Sequence, residues 1–71
     1  MSIAELIKLI EKERIGKGIA KTKMAKMMGM SVASYYRKIK SEEFLMSEVI
    51  TACNCFGWRI VLAFDNIEVL K

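Results

Sequence analysis

Ile3, Leu6, Ile7 and Ile10 recur at steps of three and four residues, with Glu5, Lys8, Glu11 and Lys12 on the remaining positions. That spacing collects the apolar side chains on one side of a helix. Ser2-Ile3-Ala4-Glu5 fits the capping box S-x-x-E, in which each side chain satisfies the other's free amide, so a first helix is predicted from Ile3 to Arg14. Gly16-Lys17-Gly18 supplies its stop. A second helix is predicted from near Lys21, with Met24, Ala25 and Met28 on one side, until Gly29 breaks it. Only Ala20 or Thr22 stands at its start as a cap. Ser31 then caps a third helix, Val32 to Lys40, whose inner stripe is Tyr35 and Ile39 and whose outer side presents Ala33, Tyr36, Arg37 and Lys40. Val49, Ala52, Cys53 and Phe56 predict a fourth, Met46 to Phe56, ended by Gly57.

From Trp58 the period changes to two. Ile60, Leu62 and Phe64 alternate with Arg59, Val61 and Ala63, a strand pattern rich in β-formers. Asp65-Asn66 offers a turn into a second short strand, Ile67 to Leu70. The expected fold is mainly α: a helical unit over residues 1–57 and a C-terminal strand or short hairpin over 58–71, within one domain. Ile60, Leu62 and Phe64 on one face, with Val61 and Ala63 on the other, are more apolar surface than a lone hairpin covers beside a small helical core. Pairing of the strand with its mate across a two-fold axis hides that surface and a bare edge together. A homodimer is therefore expected, with Trp58, Ile60, Val61, Leu62 and Phe64 in its interface.

Composition narrows the function. An apolar content of 54% in 71 residues argues against disorder, and so short a chain leaves little net stability unless a second copy covers it. Cys53 and Cys55 are two apart and point in different helical directions, so both are expected reduced, with at least one a small core side chain. The chain has no histidine, the commonest general base and metal ligand, so no Ser/His or Cys/His pair exists. Neither an enzyme, nor a metal site, nor a cofactor is expected. No apolar run approaches the ~18 residues that span a bilayer, and no leader pattern opens the sequence. The expected setting is the cytoplasm.

Charge adds a direction. Arg14, Lys17, Lys21, Lys23, Lys26, Arg37, Lys38 and Lys40 are eight basic residues in a window that holds no acidic one. The net charge is +4, so the flanks are net acidic, a separation that suits a polyanion on one face.

Inside that window lies the frame of two helices crossing at a tight turn. Ala25 is the small residue where the second helix packs, Gly29 tolerates a left-handed turn, Met30 plugs the core, Ser31 caps the next helix, and Tyr35 with Ile39 faces inward. Lys21 to Ile39 resembles the helix-turn-helix of the lambda-repressor-like (Cro-type) DNA-binding family, and the resemblance runs from about Ile3 to Gly57. Ser34-Tyr35-Tyr36-Arg37-Lys38-Ile39 is similar to the recognition helix of small phage-type members, and Met46-Ser47-Glu48-Val49, Ala52-Cys53 and Phe56-Gly57 to their fourth helix.

The resemblance implies four to five short helices and binding to double-stranded DNA as a dimer on a palindromic operator. It implies that Lys21 and Ser31 grip phosphates and that Val32, Ala33, Tyr36 and Arg37 read base edges in the major groove. Thr22, Ser34, Lys38 and Lys40 are further expected phosphate contacts. Arg37 is the main expected reader, since a guanidinium bonds bidentately to a guanine, worth ~1–3 kcal/mol of discrimination. The chain departs from the family at Val32, where many members carry glutamine, and at Ala20 and Leu45, where Ser or Thr caps are usual.

Two rival readings stand beside this one. A protein-interaction module of the same fold, an antitoxin or anti-repressor, would use the fourth helix and strands on a protein partner. A basic surface protein would bind membrane or RNA without sequence choice. The first helix argues against membrane, because Glu5, Glu11 and Glu13 alternate with Lys8 and Lys12 on its polar side.

Overall fold

The capping box closes as its residue types require. The Glu5 amide donates to Ser2 Oγ at 3.1 Å and the Ser2 amide donates to the Glu5 carboxylate at 3.0 Å. These bonds hold the Glu5 carboxyl below its ordinary range. The computed structural model describes residues 1–64 and 66–71. In it α1 spans Ile3–Gly16, α2 Lys21–Met27, α3 Val32–Ser41 and α4 Met46–Cys55, followed by β1 Arg59–Ala63 and β2 Asn66–Leu70. The fold is mainly α with a C-terminal antiparallel hairpin, as expected.

α1 runs two residues past the predicted end at Arg14. Gly16 stays helical, and it is Gly18, at φ +68°, that takes the left-handed turn. The turn brings the Ile19 amide back to the Arg14 carbonyl at 3.0 Å, so the helix end is satisfied by backbone alone. Ala20 precedes α2 as its N-cap without any side-chain cap bond, as its sequence implied. Leu45, the N-cap of α4, also has no capping oxygen, but the Glu48 carboxylate accepts the Leu45 amide at 2.8 Å and so supplies half a capping box.

The core gathers one apolar stripe from each helix. Leu6, Met24, Ala25, Tyr35, Val49, Ala52 and Cys53 are all essentially closed to solvent. Burial pushes the Cys53 thiol up, away from the reactive thiolate, while Cys55 is exposed, and both cysteines are free. Phe44 meets the Tyr35 ring edge-on, with centroids 6.1 Å apart.

β1 pairs with β2 in the register Arg59↔Leu70 through Ala63↔Asn66. Asn66 therefore belongs to β2 and not to the turn, and Asp65, the other predicted turn residue, lies outside the described residues. Ile60 and Leu62 lie opposite Val69 and Ile67, the face turned to the helices, where Ile67 is buried. Two expectations for the dimer surface change. Trp58 is only 6% exposed, packed in the chain's own core against Phe56 at 5.2 Å between ring centres. Phe64 leaves the strand alternation altogether, with φ +57° beyond the end of β1. Val61 and Ile60 are half-buried, and Leu62 and Phe64 are exposed. Among the described residues no helix is long and apolar enough to cross a membrane.

Candidate nucleic-acid interface

α2 and α3 pack together, and Ala25 of α2 lies in the core with 1% of the residue exposed. Gly29 turns the chain between them at φ +74°. An added Cβ there would meet nothing within 4 Å, so the demand for glycine is conformational and not steric. The turn lets the Met30 amide donate to the Ala25 carbonyl at 3.0 Å, and Met30 packs half-buried on the core. Ser31, in extended conformation, accepts the Ser34 amide at 3.1 Å, and its hydroxyl lies 3.0 Å from the Ser34 hydroxyl.

α3 divides into two sides. Tyr35 is buried and Ile39 packs against the core, while Val32, Ala33, Tyr36, Arg37 and Lys40 are exposed. At 3.6 residues per turn, Ala33, Tyr36, Arg37 and Lys40 fall within an arc of roughly 100°. Their side chains form one strip, with Val32 at its N-terminal edge. Tyr36 is 52% exposed, yet its ring is not free: the Lys21 ammonium at the start of α2 lies 4.6 Å from its centre. Thr22, Lys23 and Lys26 on α2 are exposed.

The eight basic residues do not act alike. Arg14 is 8% exposed, so the expectation that it belongs to a basic surface is corrected. Its guanidinium is bound by the Glu11 carboxylate, its neighbour one turn back, and donates to the Ile19 carbonyl at 2.6 Å. Lys17 faces Glu13 at 3.4 Å in an exposed pair. The Lys38 ammonium donates to the Glu48 carboxylate between α3 and α4, with the two side chains only 22% and 15% exposed, so its charge is largely spent within the protein. Lys38 is therefore ion-paired within the protein, unlike the other basic residues of α3. Lys21, Lys23, Lys26, Arg37 and Lys40 have no carboxylate within ion-pair distance among the described residues.

Two carboxylates that the sequence did not single out support this surface from behind. The Tyr35 hydroxyl donates to Glu11 at 3.3 Å, on the same carboxylate oxygen that binds Arg14. Burial first, and then the Glu11 charge, push the Tyr35 phenol far above its ordinary value, so it acts as a neutral donor. Burial raises the Glu48 carboxyl, but the bonds from Lys38 and from the Leu45 amide outweigh it and hold the group below its ordinary range. Glu11 with Arg14 at i, i+3 was the available sequence signal for the first. The second joins residues ten apart in sequence, and no local pattern points to it.

Among the described residues no three Cys, Asp or Glu side chains gather as metal ligands would. The chain matches no protein-family model, no curated protein and no solved structure.

Proposed function

We propose that this protein binds double-stranded DNA with sequence preference, as a small Cro-like transcriptional regulator acting as a dimer on a palindromic site. One observation carries the reading: an exposed strip on α3, Ala33, Tyr36, Arg37 and Lys40, has the Lys21 ammonium of α2 against its Tyr36 ring, and neither α2, which also exposes Lys23 and Lys26, nor α3 carries an acidic side chain. A helix of this kind enters the major groove, where hydrogen bonds from an outward arginine select bases and the surrounding lysines meet phosphates. The buried Tyr35 and the turn at Gly29 supply the rigid backing that such a strip needs.

Roles divide by chemistry. Arg37 is the base reader, with Tyr36, Ala33 and Val32 beside it, the last two suited to a thymine methyl. Lys21 and Lys40 bind phosphates as cations, and Ser31, Thr22 and Ser34 as hydroxyl donors. The resemblance to the lambda-repressor-like family supports the same assignment residue by residue.

The reading is tested by titrating a labelled duplex with the full chain over a range of salt. Affinity that falls steeply and linearly on a log–log plot is the expected signature of several phosphate contacts. Absence of salt-sensitive binding removes the proposal.

A further inference from the structure

Glu11 and Arg14 belong to α1, which carries none of the exposed strip, yet between them they hold the residues that lead into it from two directions. One oxygen of the Glu11 carboxylate accepts both the Arg14 guanidinium and the Tyr35 hydroxyl, the latter at 3.3 Å. Arg14 binds Ile19 twice: its guanidinium donates to the Ile19 carbonyl at 2.6 Å, and its own carbonyl accepts the Ile19 amide at 3.0 Å. Tyr35 immediately precedes Tyr36, and Ile19 stands two residues before Lys21. The pair on α1 therefore grips the chain just ahead of each partner in the Lys21–Tyr36 contact.

α1 lies mainly against α4, and α2 against α3 and α4. Among the described residues, the side-chain hydrogen bonds that cross from α1 to α3 and to the loop before α2 are those of Glu11 and Arg14. Tyr35 is closed to solvent and Arg14 nearly so, so water competes little for these bonds, and losing a partner leaves a buried donor unsatisfied. Apolar burial is non-directional, whereas a hydrogen bond has a fixed geometry. The core can set the distance between elements; these bonds set their register.

We propose that Glu11 and Arg14 are positioning residues for the candidate interface: the buried pair registers the start of α2 against α3 and so seats the Lys21 ammonium on the Tyr36 ring. Its meaning for binding rests on the DNA reading above, while the registration itself does not. Two arms leave one carboxylate. The Arg14 arm ends at Ile19 and fixes where α2 begins; the Tyr35 arm fixes how α3 is turned. Lys21 has no carboxylate partner among the described residues, so the placement of the ring decides where its charge lies. A binding surface needs its side chains held within about 0.5 Å, and supporting bonds of this kind supply that.

The test is the proton NMR shift of the Lys21 methylene next to its ammonium, measured on the full chain without DNA at a temperature where circular dichroism shows each variant folded. A methylene over an aromatic face is moved upfield by the ring current, and Tyr36→Leu supplies the shift without a ring. Tyr35→Phe cuts the α3 arm while keeping the core filled, and Glu11→Gln removes the charge that both arms share. Wild type is expected to show the upfield displacement, and each of these two variants to lose most of it. Because both cut the same bond, the double variant is expected to lose no more than Glu11→Gln alone. A displacement retained in either folded variant, or absent from wild type, overturns the proposal. A pair that only stabilises the chain gives the first of these results, with lower melting temperatures and the displacement intact. Should Glu11→Gln fail to fold, Tyr35→Phe decides alone. With duplex added, Tyr35→Phe leaves the charge unchanged and is expected to weaken cognate and unrelated DNA alike, in the direction of Lys21→Ala; binding equal to wild type overturns the positioning role. A wild type that binds no DNA removes the DNA reading and leaves the NMR result, and with it the registration, standing.

Discussion

The ammonium of Lys21, first residue of α2, lies 4.6 Å from the centre of the Tyr36 ring on the outer side of α3. A cation over an aromatic face is worth about 0.5–1 kcal/mol at an exposed site. The ring therefore holds a positive charge at the junction of the two helices. A phosphate contact from a pre-placed lysine carries no base information. Lys21→Ala is accordingly expected to weaken cognate and unrelated duplexes alike and to reduce the salt slope by about 0.9, one phosphate's worth. Fluorescence anisotropy at four or five salt concentrations measures both.

Arg37 is expected to behave differently because among the described residues it has no carboxylate partner and it is exposed on the outer side of α3. Arg37→Ala should lose about 1–3 kcal/mol of preference for the cognate site, a factor of roughly 5 to 150, while binding to unrelated DNA changes far less. Competition titrations with cognate and scrambled duplexes give the ratio. An unchanged ratio would show that α3 is not the reader.

Glu48 accepts the Lys38 ammonium, so under the proposed function a change at Glu48 is expected to alter both stability and DNA affinity. Because its carboxyl is held below the ordinary 4.5, it contributes stability that is complete above that pH and is lost as pH falls through the lower folded value. Glu48→Gln should cost about 1 kcal/mol near neutrality and flatten the acid limb of the stability curve. The same change frees the Lys38 charge, so non-specific DNA affinity should rise even as the melting temperature falls. Chemical denaturation between pH 3 and pH 7, with a parallel titration of unrelated duplex, checks the two opposite signs.

Tyr35 governs the alkaline side. Its folded value is raised above the ordinary 10, so its contribution is complete below pH 10 and declines as pH climbs towards the folded value. Burial and the Glu11 charge oppose ionisation of the phenol in the folded chain. In a Tyr36→Phe background Tyr35 is the sole tyrosine, and its ultraviolet ionisation should coincide with loss of the circular dichroism signal. Tyr35→Phe keeps the ring, loses the bond to Glu11, and should cost about 1 kcal/mol at neutral pH.

Local chemistry explains what could be read in advance. The caps at Ser2 and Ser31, the turn at Gly29 and the inward Tyr35 depend on neighbours within one helical turn, and each is found where its residue type indicated. Arg14 was misread as surface because its burial depends on the α1–α2 loop folding back to offer the Ile19 carbonyl. The Lys38 ion pair was not legible for a similar reason: its partner Glu48 reaches it only after α3 and α4 pack. Alternation correctly identified β1 but extended too far at both ends, since Trp58 enters the core before the strand begins and Phe64 departs into the turn after it stops. Tertiary contacts decide these positions, and a period of two carries no information about them.

Selection of random duplexes bound by the full chain tests the central claim most directly, that the exposed strip on α3 reads DNA sequence. Enrichment of an inverted repeat with half-sites one turn apart, ~34 Å, is the predicted result, and a guanine in each half-site whose enrichment vanishes with Arg37→Ala would locate the reader. A bound pool with no enriched sequence would contradict the account.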